Sequence, residues 1–100
     1  MSFHLTIEEA KKELAKQNMP FVLLLKDKQM SVEYFAPSEI DTQSIHPQDE
    51  VYVIASGSSQ FFRDGETVDC KTGDVLFVPA GMDHRFQNMS NDFATWVIFY

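Results

Sequence analysis

The sequence predicts an all-β domain: a small barrel or sandwich of antiparallel strands behind one short N-terminal α-helix. Three observations carry this. From residue 21 onward, short β-rich runs alternate with turn residues, and no helical period interrupts them. Before residue 21 there is a single amphipathic helical pattern. The 100 residues, 44% hydrophobic and 23% charged, suffice for one globular core and no more. We therefore expect one domain over residues 1–100, with the helix and its lead-in in 1–20 and the barrel in 21–100.

The helix is expected over Ile7–Gln17. Thr6 followed by Glu9 is a capping-box pattern, and Ile7, Ala10 and Leu14 recur at helical spacing. Asn18 and Pro20 end it. Strands are expected at Phe21–Leu25, Ser31–Phe35 and Glu50–Ala55, then at Gln60–Arg63 and Glu66–Val68. The last two flank Asp64-Gly65, a pair suited to a two-residue hairpin because both positions favour positive φ. Val75–Val78, His84–Gln87 and Phe93–Tyr100 complete the set, separated by turns at 71–74 and 79–81 and a loop at 88–92.

Charge and cysteine usage exclude several functions. The net charge is −7, and residues 30–100 carry 11 acidic against 3 basic side chains. Such a surface repels phosphates, so neither nucleic acid nor an anionic membrane is an expected partner. A small-molecule ligand is, and an anionic one would need a buried cation or a metal to meet it. No apolar run approaches the ~20 residues that span a bilayer, and no secretory signal precedes the helix, so the expected location is cytoplasmic. The single cysteine, Cys70, excludes a multi-cysteine zinc site and is expected to serve as a small packing residue.

Strand parity then brings three donors together. In 82–87 the even positions are Met82, His84 and Phe86, and the odd ones are Asp83, Arg85 and Gln87, so His84 faces inward. If 44–54 is extended, His46, Gln48, Glu50 and Tyr52 share one face, while Asp49 points outward as a solvated charge. Two imidazoles and a carboxylate inside one barrel suit a divalent transition metal (Fe, Zn, Mn or Ni), and two histidines with one carboxylate suit non-haem iron. The bland alternative is that His46 caps a loop beside Glu50 and His84 is a satisfied core histidine. Tyr52, Phe86 and Gln48 are the expected pocket-lining residues.

These residues carry a resemblance. Gly73-Asp74-Val75-Leu76-Phe77-Val78-Pro79-Ala80-Gly81-Met82-Asp83-His84-Arg85-Phe86-Gln87-Asn88 resembles the second cupin motif, Gly-x5-Pro-x-Gly-x2-His-x3-Asn, at every fixed position. His46, Glu50 and Gly57 resemble the end of the first, His-x-His-x3–4-Glu-x6-Gly. The resemblance implies a single-domain, jelly-roll-like cupin barrel with His46, Glu50 and His84 as metal ligands. Ser44 stands where the motif's first histidine would be, and Ser38 where its opening glycine would be. That corner is then open, water-filled, or supplied by Gln43 or Gln48. The run from Asp41 to Glu50 is similar to small bacterial cupins with one histidine here. The resemblance implies a homodimer and a metal site but not a reaction: oxygenase, isomerase and lyase chemistry are all compatible with it. It is equally compatible with a non-catalytic sensor or binding module, or with a metal-free barrel.

Overall fold

A computed structural model describes residues 3–38, 41 and 45–100. The chain order is α1 (Ile7–Ala15), β1 (Phe21–Asp27), β2 (Met30–Phe35), β3 (Glu50–Ser56), β4 (Ser58–Arg63), β5 (Glu66–Lys71), β6 (Val75–Val78), β7 (His84–Gln87) and β8 (Ala94–Phe99). The strands form two antiparallel sheets, one of order β1-β2-β8-β3-β6 and one of order β5-β4-β7. This is the jelly-roll-like architecture, with the barrel left open between the sheets.

The helix begins as expected: the Thr6 hydroxyl accepts the Glu9 amide at 3.1 Å. It stops at Ala15, two residues early, because the amides of Lys16 and Gln17 turn back to the carbonyls of Glu13 and Leu14 and tighten the last turn. Ala10 is buried against Val22, Tyr34 and Ala94 on the outside of the larger sheet. The 64–65 turn has the expected backbone, with φ of 46° at Asp64 and 90° at Gly65.

The main core lies between the sheets. It is built on Tyr52, Ile54, Phe61, Phe86, Phe93 and Val97, with the Phe86 ring 4.8–4.9 Å from those of Tyr52, Phe61 and Phe93. Alternation holds along β3, where Glu50, Tyr52 and Ile54 are buried and Val51 and Val53 less so. In β7, His84 and Phe86 point in while Arg85 is exposed, its guanidinium 4.5 Å from the Phe62 ring centroid.

Cys70 is buried in this core, its thiol directed at the Ser59 carbonyl at 3.4 Å. Burial, reinforced by the Asp74 carboxylate, pushes the thiol up to about 11. A thiolate is the reactive form, so Cys70 should resist iodoacetamide in the folded protein at pH 8. It should alkylate fully once the chain is unfolded in urea. Rapid labelling of the native protein, followed by mass spectrometry, would contradict this placement.

Candidate metal centre

The site is assembled from both sheets and one loop. Glu50 opens β3 on the larger sheet and is fully buried. His84 opens β7 on the smaller sheet. His46 lies on the loop before β3, with a side chain 30% exposed. That loop is held on the turn before β7 by the Gly81 amide, which donates to the His46 carbonyl at 2.9 Å.

The ligand atoms of these three residues all lie within 4.8 Å of one another. His84 Nδ1 is 2.8 Å from the Met82 carbonyl, to which it donates. That fixes the tautomer and leaves Nε2 facing the carboxylate, 2.6 Å from Glu50 Oε1. Tyr52 donates its hydroxyl to the same oxygen at 2.6 Å. His46 Nε2 is 3.9 Å from Glu50 Oε2. With its proton on Nδ1, neutral His84 has none to give from Nε2, and His46 Nε2, Glu50 Oε2 and His84 Nε2 are then buried without a hydrogen-bond partner.

Three orphaned buried atoms of this kind are costly, and one cation at their common focus would satisfy all of them. Neutral imidazole and carboxylate donors fit a divalent transition metal. Without a cation, burial works against protonation of His84. The Glu50 carboxylate, the Met82 carbonyl and Asp41 outweigh it, and the imidazole sits above its ordinary value.

Beside the triad is a cavity of about 510 Å³ reached through His46. Phe21, Phe35, Val97 and Phe99 form its apolar wall, and Ser31, Glu33 and Gln48 contribute polar groups. Glu33 is half-buried, and its carboxyl is raised by burial and by the charge on Glu50. Gln48 reaches the cavity, but its amide nitrogen donates to the Gln29 carbonyl at 3.0 Å. Tyr52 and Phe86, expected as walls, are 0% and 1% exposed and lie beneath the triad in the aromatic core. Ser44 and Gln43 lie outside the described residues; Ser38 is exposed.

Two residues escaped parity reasoning. Asp49 is more than a surface charge: half-buried, it accepts the Ala80 amide with Oδ1 at 2.7 Å and braces the turn that leads to His84. Asp41 is buried, and its Oδ2 accepts the Phe86 amide at 2.8 Å, tying the chain ahead of His46 to the strand that carries His84. Their signal in the sequence was weak, since the partner amides lie 31 and 45 residues away. Tyr52 stands i+2 from Glu50, on the same strand face, and holds Glu50 Oε1 in place. Tyr52→Phe should leave the fold intact and weaken metal binding about tenfold, measured by competition with a chromogenic chelator. Unchanged affinity would remove Tyr52 from the site.

An open two-sheet β-barrel with two imidazoles and a carboxylate turned into its interior defines the class of protein. The chain belongs to the Cupin_2 family, whose cupin domain matches residues 31–100. An uncharacterised protein of Streptomyces coelicolor is 34% identical over 95 residues, 93% of this chain and 90% of the relative. The acireductone dioxygenase of Drosophila pseudoobscura pseudoobscura is 35% identical over 57 residues, 52% of this chain but 30% of that enzyme. The crystal structure of a cupin superfamily protein from Desulfitobacterium hafniense DCB-2 superposes with a TM-score of 0.72 at 19% identity, covering 99% of this chain and 93% of the other. No helix among the described residues is long and apolar enough to cross a membrane.

Proposed function

We propose that this chain is a metal-dependent cupin that holds a divalent transition ion through His46, Glu50 and His84 and acts on a small organic molecule in the adjoining cavity. The observation that carries this is the convergence of three buried donor atoms that no protein group satisfies while His84 is neutral. Such an ion supplies Lewis-acid polarisation of a carbonyl or carboxylate, or an open position for O₂. The remaining roles belong to the chain. Tyr52 holds one oxygen of Glu50, and the Met82 carbonyl keeps the Nε2 lone pair of His84 turned inward. Phe21, Phe35, Val97 and Phe99 offer an apolar wall to the carbon skeleton of a ligand. Oxygenation is the leading reaction class, supported by the partial match to a dioxygenase; isomerase or lyase chemistry would use the same donors.

A second reading is a metal-free barrel in which a protonated His84 pairs with Glu50, favoured by the raised His84 imidazole. Elemental analysis separates the two when the protein is purified without a nickel column. We expect about one ion per chain and its loss in His84→Ala. Ion-free wild type, or unchanged stoichiometry in the variant, would establish the metal-free barrel instead.

We also propose a cytoplasmic homodimer. Val75 and Phe77, on the free edge of the larger sheet, are 64% and 44% exposed, and Val68 on β5 borders the same groove. Edges and apolar faces of this kind are commonly covered by a second copy. Light scattering should return about twice 11.5 kDa; a mass near the monomer value would reject the dimer.

A further inference from the structure

We propose that Glu33 is the ligand-recognition residue of the cavity and that the ligand is a small, largely apolar molecule carrying a protonated amine. The inference takes the cavity as the ligand site, as the preceding reading does, but does not depend on a bound metal. Glu33 sits midway along β2, between the cross-strand neighbours Leu23 and Val97, and its side chain reaches the same cavity as His46. Among the described residues no side chain or backbone group pairs with it. No lysine or arginine among the described residues lines this cavity.

A lone carboxylate in a half-buried apolar cavity is a poor neighbour for an anion and a good one for a cation. Burial and the field of Glu50 both work against its ionised form, and a bound ammonium offsets both. Phe21, Phe35 and Phe99 line the same cavity and supply apolar contact for the rest of such a ligand. The cavity volume of about 510 Å³ suits a small organic molecule. Lys26 and Lys28 line a neighbouring cavity of about 540 Å³, which shares only Ser31 and Gln48 with this one. The lysines therefore stand in that cavity, beside Asp49, and not with Glu33.

The test is calorimetric binding of three matched probes to the protein as isolated: 2-phenylethylamine, 2-phenylethanol and 3-phenylpropanoate. The metal content of each sample is measured in parallel. We expect the amine to bind roughly tenfold more tightly than the alcohol, a preference that added salt weakens. Glu33→Gln should reduce the difference to within about threefold, while Glu33→Asp, which keeps the charge, should retain the order. Failure of the amine to bind, tighter binding of the propanoate, or an amine preference that survives in Glu33→Gln would each overturn the proposal. A metal-free sample that shows the preference, and loses it in Glu33→Gln, supports Glu33 and sinks the metal centre. A metal-loaded sample without the preference does the reverse.

Discussion

Stripping the cation with a strong chelator should lower the melting temperature of the wild-type protein by roughly 15–30 °C. A ligand present at a thousand times its dissociation constant stabilises the folded state by about 4 kcal/mol, and each kcal/mol is worth about 4–8 °C in a domain of this size. That figure already contains the cost of leaving Glu50 Oε2 and the two imidazole nitrogens buried and unsatisfied in the metal-free protein. His84→Ala should start from the lower temperature and show no further response to chelator. The comparison is a pair of thermal scans for each protein, with zinc or ferrous ion added back. A wild type indifferent to chelator would leave the triad as a hydrogen-bonded core cluster.

The second large effect is expected at Gly57, in the tight connection between β3 and β4. Its φ is +74°, in the left-handed region that a side chain disfavours. Strain is only part of the cost. A Cβ built there would collide with the Ser90 hydroxyl and stand 2.8 Å from Asp92 Oδ1 and 2.9 Å from the Cα of Phe93. The Ser90 hydroxyl cannot withdraw freely, because it accepts the Ser58 amide and donates to Asp92. The Phe93 backbone leads into a ring packed in the main core. Gly57→Ala should therefore destabilise the domain by about 2–4 kcal/mol, read as a shift in the urea midpoint at constant slope. Gly65→Ala, which meets nothing within 4 Å, should show only the smaller cost of its positive φ. Equal losses at the two glycines would mean that backbone strain alone, and not the close approach at Gly57, sets the effect.

Much of this architecture was legible because it rests on short-range patterns. The strand runs, the Asp64-Gly65 turn and the inward parity of His84 and Glu50 are all set by residues within a few positions of one another. His46 was paired with Glu50 by assuming an extended segment. The structure has no strand over 45–49, and His46 arrives beside Glu50 from a loop. What the sequence withheld is long-range. Asp49 and Asp41 look like surface charges until distant backbone amides are brought to them. Glu33 lies in a β-rich run with no local signal that its face is covered. Only the fold of β2 against β8 and the approach of the His46 loop turn that position into a cavity wall. Tyr52 was placed on the correct face, but burial and a hydroxyl directed at Glu50 make it a support for the carboxylate.

The origin of the three donors also bears on the kinetics of folding. Glu50 and His84 come from opposite sheets and lie 34 positions apart, so their side chains meet only when the two layers close. Contacts made that late contribute little to the rate-limiting barrier on the way in. An ion held between them would act as a latch: it would leave the speed of assembly nearly unchanged while prolonging the lifetime of the native state.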